Sequence, residues 1–418
     1  MGFLSVITCR VVNGTSTVLN SNGDIFPKTS VNEMLRSIQY TDLCQEMVSD
    51  CTMRSAAVKI QRVLHYGCSH RTLDDWTERE GGAIADRIQK QAKEILEEHR
   101  FDPETGSPID EATLAGALIK PTIAVIPPEE VAEAINKYNE NRADDEKISD
   151  RWAEHTYISG QNGSNLSLDE ICVTEQKSTG RKRGSPRKEH KKRVENTVVH
   201  IQQGLGIYIL TGLDMLTVVI TTLAFLLKNG LLENRMLTIF ADGAANIRHS
   251  IQAVFGWRMF EVVLDWHHLN GKCKQRLSQI TKGSKLQNEA LGTLLKYLWI
   301  GELDTAIAFL RSIPEANIKS GGDEKREKLI AYFERNRDNI PCYALRKELG
   351  LRISSNRVEK SNDLVVASRQ KNKGMSWSRD GSTALANIKA MRLNGEAGAW
   401  NYTKQFAFSL KYHDQDAA

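Results

Sequence analysis

Two short β-type runs each end in an aspartate: Met236-Leu237-Thr238-Ile239-Phe240-Ala241-Asp242-Gly243 and Phe260-Glu261-Val262-Val263-Leu264-Asp265-Trp266-His267-His268. A carboxylate at the C-terminal end of a buried strand sits at the rim of a sheet, where open α/β folds place their ligands. Two further acids stand in comparable places. Asp169 lies in the alternating run Leu166–Val173, and Glu359 starts a helix on which Asp363 follows one turn later, on the same face. Mg²⁺ takes hard oxygen ligands, and phosphoryl-transfer enzymes hold paired divalent ions that activate the attacking oxygen and stabilise the leaving one. Asp169, Asp242 and Glu359, 73 and 117 residues apart (242 minus 169, 359 minus 242), are candidates for such a set. Singly, each has an ordinary explanation: an exposed strand position, a strand-ending Asp-Gly turn and a solvated acid at a helix start. Glu170 shadows Asp169, but neighbouring strand residues face opposite sides, so one of them can enter a site.

The elements that would carry these acids are readable from period. Leu166–Val173, Thr197–Gln203 and Gly206–Leu210 read as strands, the last two joined by Gly204-Leu205-Gly206. The thirteen-residue apolar run Met215–Leu227 is too short to span a bilayer and belongs to a core helix predicted over Leu213–Leu227. Then come the strand ending at Asp242, a helix over Ile247–Phe255 and the strand ending at Asp265. Three strands, helix, strand, helix, strand is the order of an RNase H-like core. Amphipathic helical pattern continues from Lys272 to Leu349, as an all-helical insertion at about 270–350 would. The predicted class is therefore α/β, an RNase H-like mixed sheet flanked by helices with a helical insertion.

Before this core the chain reads as mainly helical. Turn signals at Asn13-Gly14 and Asn22-Gly23 allow a small hairpin. An amphipathic run Met53–Leu64, a break at Gly67 and the segment Ser69-His70-Arg71-Thr72-Leu73-Asp74-Asp75 have the order of a helix-turn-helix. Thr72 and Asp75 match capping-box spacing, and Arg71 and Thr72 would face DNA; an ordinary helical hairpin has the same spacing. Gly81-Gly82 is expected to separate this short helix from a charged one running from Ala83 to about His99. Five of the nine prolines fall between 103 and 128, and Glu129–Asp150 is acidic and helical in pattern. These features divide the chain into a helical DNA-binding domain (1–100), a linker with an acidic helical segment (101–160), a catalytic domain (161–375) and a basic C-terminal tail (376–418).

At 418 residues with 40% apolar and 26% charged side chains, the composition is that of a globular protein of two or three domains. The net charge of +4 is small, but residues 176–193 hold nine Lys/Arg, Lys177, Arg181, Lys182, Arg183, Arg187, Lys188, Lys191, Lys192 and Arg193, against Glu189 alone. Such a segment is expected to follow phosphates in a salt-sensitive way; a solvated loop would have the same composition. Arg369, Lys371, Lys373, Trp377, Arg379, Lys389, Arg392 and Lys404 interleave charge with aromatics and are also expected at DNA. Seven cysteines without a CxxC pair argue against a disulfide framework or zinc ribbon and for a reducing, cytoplasmic location. A signal peptide is not expected, since Arg10 interrupts the first apolar run.

Five pieces in order resemble a bacterial insertion-sequence transposase of the DDE type, in the Mutator-like broad group, over residues 165–400. They are Leu168-Asp169-Glu170 with Val173–Lys177, Phe240-Ala241-Asp242-Gly243-Ala244, Leu264-Asp265-Trp266-His267-His268, Ser355-Asn356-Arg357-Val358-Glu359 and Gly374-Met375-Ser376-Trp377. The resemblance implies that Asp169, Asp242 and Glu359 bind Mg²⁺ or Mn²⁺ and that Asp265 to His268 matches the family's Cys/Asp-x-x-His motif, with His268 near the catalytic site. It implies cleavage at the ends of an element, freeing a 3′-hydroxyl that attacks target double-stranded DNA without a covalent protein intermediate, by a homo-oligomer assembled on DNA and away from membranes. The small-residue stretch usual before the last acid is replaced here by Ile353-Ser354-Ser355-Asn356-Arg357, which leaves Asp363 as the reserve ligand. A nuclease or resolvase on the same core, and a non-catalytic DNA-binding regulator, are the alternative readings.

Overall fold

The computed structural model describes residues 9–12, 15–18, 38–65, 68–117, 125–160, 163–176, 193–233, 235–258, 260–372 and 374–412. The first described elements are an antiparallel pair, β1 (Cys9–Val12) and β2 (Thr15–Val18), with Val12 opposite Thr15; the turn signals Asn13-Gly14 and Asn22-Gly23 lie outside the described residues. Five helices follow: α1 (Ile38–Asp50), α2 (Met53–Leu64), α3 (His70–Glu98), α4 (Glu111–Ala117) and α5 (Pro128–Asn139). The central segment is β3 (Ser164–Thr174), β4 (Arg193–Gln203), β5 (Gly206–Gly212), α6 (Met215–Lys228), β6 (Leu237–Ala241), α7 (Ala245–Phe255) and β7 (Phe260–Leu264). Helices α8 (Trp266–Ile280), α9 (Ser284–Trp299), α10 (Leu303–Ser312), α11 (Gly322–Arg335) and α12 (Tyr343–Glu348) come next. The remainder is α13 (Asn356–Asn362), a π-turn at Asp363–Ala367, α14 (Ser368–Gln370), α15 (Arg379–Leu393), α16 (Ala397–Thr403) and β8 (Lys411–Tyr412).

One mixed sheet of six strands organises the molecule, in the order β7-β6-β3-β4-β5-β8. β3, β4 and β5 form an antiparallel meander, and β6 and β7 add in parallel to β3. Alternation divides the sheet into two unlike faces. Leu166 and Leu168 of β3, Val199 and Ile201 of β4, Tyr208 and Leu210 of β5 and Leu237 and Ile239 of β6 pack with α3, α6 and α7 into the largest apolar cluster. The opposite face carries Ser167, Asp169 and Ile171 of β3 beside Val198 and His200 of β4, covered by Val358 of α13, Val365 and Val366 of the π-turn and Ala386 and Ala390 of α15.

α6 is buried nearly all round because it lies between the sheet, α3 and α7. Its threonines survive there by bonding one turn back, Thr221 to the Thr217 carbonyl and Thr222 to that of Val218, both at 2.8 Å. The segment α8–α12 has its own apolar centre, built from Leu269, Leu277, Leu294, Leu298, Leu310 and Phe333 and seated on Phe240 and Val263 of the sheet.

The Gly81-Gly82 break does not form: α3 is one helix of 29 residues. A Cβ on Gly81 would lie 2.3 Å from the Ala384 backbone, so this glycine admits a close crossing with α15 rather than ending the helix. The cap is Ser69, whose hydroxyl accepts from the Thr72 amide at 3.1 Å, and not Thr72 itself. The far half of α3, with Ile84, Ala92, Ile95 and Leu96, belongs to the sheet's core.

Residues 376–412 do not trail as a basic tail. Ile388 and Met391 of α15 are core residues, and β8 pairs with β5. The buried Glu396 carboxylate accepts from the Ala407 and Phe408 amides at 2.8 and 2.7 Å, fixing the turn back to the sheet. Several cations expected at DNA are paired within the protein. Arg392 meets Asp42 at 2.6 Å, Lys389 meets Asp50 at 2.6 Å and Arg379 meets Glu175 at 3.5 Å. Arg369 is buried over the Trp377 ring and donates to the Val48 carbonyl at 3.1 Å. These charges fasten α1 and the strand end at Glu175 to the C-terminal helices.

Candidate active site

Asp169, Asp242 and Asp265 come from three neighbouring strands. Ser167 pairs with Phe240, and Ala241 with Leu264. Continued by two residues and by one, that register sets Asp169 beside Asp242 and Asp242 beside Asp265, on the polar face. Glu170 points to the other face, where it accepts from the Asn246 amide of α7 at 2.6 Å. The choice between neighbours 169 and 170 is therefore made by strand parity.

Asp169 is held by two donors, its own neighbour's amide (Glu170 N, 2.8 Å) and the Asn362 side-chain amide (Nδ2, 2.6 Å). Burial pushes its carboxyl up to about 6; the Glu170 hydrogen bond and the His268 imidazole oppose the rise, while the Asp242 and Glu359 carboxylates add to it. Asp169 is thus within electrostatic reach of the three other groups predicted as catalytic. Asp242 follows β6 and accepts from the Ala244 amide at 2.7 Å. Gly243 turns the chain with φ +80°, and a Cβ there would stand 2.8 Å from Leu264 Cδ1. The Tyr332 hydroxyl of α11 donates to the Asp242 carbonyl at 3.3 Å.

Glu359 and His268 reach the site from helices. His268 Nε2 lies 3.3 Å from Glu359 Oε1, with both side chains partly exposed. Asp265 sets the geometry of both. Its fully buried carboxylate caps α8 by accepting from the His268 amide at 2.7 Å, and it also accepts the Ser355 amide and the Ser355 hydroxyl, the latter at 2.8 Å. One side chain therefore ties the turn carrying His268 to the loop that launches α13 and Glu359. Asp363 is exposed at the end of α13, where the helix widens into the π-turn. Trp266 packs against Trp299 and Tyr343, as a core residue does.

Beneath Asp169 lies a buried polar layer that the motifs did not reveal. His200 Nδ1 is 3.0 Å from the Ser361 hydroxyl, which itself donates to the Arg357 carbonyl. That hydroxyl is then an acceptor for the ring, so Nδ1 carries the hydrogen. Burial, with Arg352 and Arg357 nearby, pushes the His200 imidazole down to about 3. Ser167 Oγ, His200 Nε2 and Asn362 Oδ1 are buried on this face without a protein partner. Asn362 was legible in principle, since it lies three residues after Glu359 on the same short helix.

Among the described residues, no group of three or more His, Cys, Asp or Glu side chains is gathered closely enough to hold a metal ion. The donor set at 169, 242 and 359 nevertheless has the chemistry that Mg²⁺ or Mn²⁺ requires, oxygen from three carboxylates. All three already meet protein donors, Asp169 the Asn362 side chain, Asp242 the Ala244 amide and Glu359 the His268 ring.

The expected DNA contacts divide differently. Arg181, Lys182, Arg183, Arg187, Lys188, Lys191 and Lys192 lie outside the described residues, and Arg193 is exposed at the start of β4. Arg71 is exposed in the first turn of α3, and Thr72 is partly covered by its bond to Ser69; Asp74 and Asp75 follow directly, so that helix start is not uniformly basic. No helix among the described residues is long and apolar enough to cross a membrane. Comparison with known proteins finds no family model that matches the chain and no curated protein with a matching sequence.

Proposed function

We propose that the protein is a DDE-type DNA transposase built on an RNase H-like core, cutting DNA at the ends of an insertion sequence and joining the freed 3′-hydroxyl to target DNA. The observation that carries this reading is the convergence of Asp169 and Asp242 from adjacent parallel strands with His268 from α8 and Glu359 from α13. The strand order, a three-stranded meander with two parallel strands added beside β3, supports the core assignment. Asp169, Asp242 and Glu359 would hold the divalent cation, which when bound lowers the pKa of water and stabilises charge on a scissile phosphate. Asn362 holds the Asp169 carboxylate in place, and Asp265 fixes the spacing of His268 and Glu359 through the Ser355 loop. His268, 3.3 Å from Glu359, orients that carboxylate and offers a ring N–H toward a phosphate oxygen. Assembly of at least two copies on DNA, one at each element end, belongs to the same proposal.

The test is a nicking and strand-transfer assay with purified protein, Mg²⁺ and DNA carrying the element's own ends. The proposal expects Mg²⁺-dependent nicks followed by joining, abolished in Asp242→Ala and Glu359→Ala. Wild-type activity in either variant would end the triad assignment. Cleavage without joining identifies a nuclease, and DNA binding indifferent to metal with no cleavage identifies a regulator.

A further inference from the structure

The helical insertion carries a groove that no motif pointed to. It lies between α8 and α11, has a volume of about 460 Å³, and is lined by Lys272, Arg276, Lys328, Tyr332 and Arg335 together with Leu329 and Ala331. Every charged residue in that lining is a cation. α8 contains no acid at all over Trp266–Ile280. Three of the four α11 acids are engaged elsewhere or locally, Asp323 with Arg326, Glu324 with Lys328 and Glu334 with Arg337, and the fourth, Glu327, is exposed and does not line the groove. Lys272 sits 5.4 Å from the Tyr332 ring, and Arg276 donates to Gln279, a neutral amide. Three positive side chains thus face one groove with no carboxylate paired to them among the described residues, an arrangement that repels itself until an anion enters.

Tyr332, on the floor of the groove, donates to the carbonyl of Asp242. Arg335 also lines a second cavity of about 230 Å³, whose walls include Ala241, Phe260, Val262 and Leu264 with Arg248 and one acid, Asp338. Asn336 is 2% exposed and its Oδ1 has no partner. A groove whose charged lining is wholly cationic has the charge to hold a nucleic-acid backbone.

We propose that the α8–α11 groove is a DNA-binding surface in its own right, gripping the sugar-phosphate backbone through Lys272, Arg276 and Arg335. This rests on the transposase reading for the choice of DNA as the polyanion. The contacts are to phosphate, so they hold the strand in register without reading its sequence.

The experiment uses the full chain and a fluorescein-labelled random-sequence duplex of about 30 base pairs, long enough for several phosphate contacts. Binding is measured over a salt series for wild type and for Lys272→Ala/Arg276→Ala/Arg335→Ala. The expected result is an affinity loss of about tenfold or more at low salt and a log–log salt slope smaller by about 2 to 3, the value for three lost phosphate contacts. Charge-keeping Lys272→Arg/Arg276→Lys/Arg335→Lys restores both, and unchanged thermal melting of the alanine variant excludes misfolding. An unaltered salt slope in the alanine variant overturns the proposal, as does tighter binding of a poly-glutamate peptide than of DNA at this groove. Nicking by the wild-type chain separates the two readings. Groove-dependent DNA binding in a protein that never nicks refutes the transposase and leaves the groove, whereas nicking with an unchanged slope in the alanine variant refutes the groove alone.

Discussion

The two faces of the sheet are built from the same strands and differ in almost everything else. Toward α3, α6 and α7 the strands present Leu166, Leu168, Val199, Ile201, Tyr208 and Leu210, a continuous apolar layer. Toward α13 and α15 they present the buried Ser167, Asn196, His200 and Gln202 and the partly buried Asp169, with unpaired atoms on Ser167, Asn196 and His200. Burying polar groups without full pairing costs stability. The apolar face holds the fold together, and the polar face spends part of that stability on positioning a carboxylate.

The sharpest way to break the comparison is to mutate neighbours on opposite faces. Asp242→Ala on the polar side is expected to lower Mg²⁺-dependent nicking by at least about 10³-fold with little loss of stability, in keeping with losses seen on removing single catalytic groups. Glu170→Gln, adjacent to Asp169 but turned to Asn246, is expected to stay within about threefold of wild type in the same assay, since no transition-state contact is removed. Equal losses in the two would show that strand parity does not select the reactive acid.

Leu168→Ala should do the reverse. It empties a fully packed position on the apolar face and is expected to cost about 2–4 kcal/mol in denaturant unfolding. Activity per folded molecule should be unchanged. A nicking defect that exceeds the unfolded fraction would show that the two faces are coupled.

The smallest effect is the pH dependence of the polar face, where two groups pull in opposite directions. His200 has a folded pKa near 3, far below its usual 6.5, so its contribution is present above 6.5 and lost as pH falls toward 3. Asp169 has a folded pKa near 6, above its usual 3.8, so its contribution is present below 3.8 and lost as pH rises toward 6. Melting temperatures of His200→Gln should therefore fall less steeply than wild type between pH 6.5 and 4. Those of Asp169→Asn should lack the decline that Asp169 introduces between pH 4 and 6. Parallel curves for all three proteins would refute the assigned environments.

The central strands were readable because period-two runs and strand-terminal acids are local features. β3 to β7, α6 and α7 fall within a few residues of where hydrophobic period places them. What was missed depends on partners far along the chain. Gly81 continues a helix only because Ala384, about three hundred residues later, needs the space. The cations of α15 resemble DNA ligands until Asp42 and Asp50 of α1 are seen beside them. Asp169, Asp242, Glu359 and His268 were visible as acids and a histidine in motif order. Asn362, Ser355 and Tyr332, which hold them, are ordinary polar residues whose roles exist only in three dimensions.

The clamp at Asp265 has a mechanical consequence. The chain leaves the sheet at Trp266 and returns at Ser355, and both ends are bound at that one carboxylate, reinforced by the Trp266 amide on the Ile353 carbonyl at 3.1 Å. Residues 266–354 therefore form a loop closed at its neck by one side chain next to the reactive acids, and the neck cannot open without breaking the bonds that set His268 against Glu359.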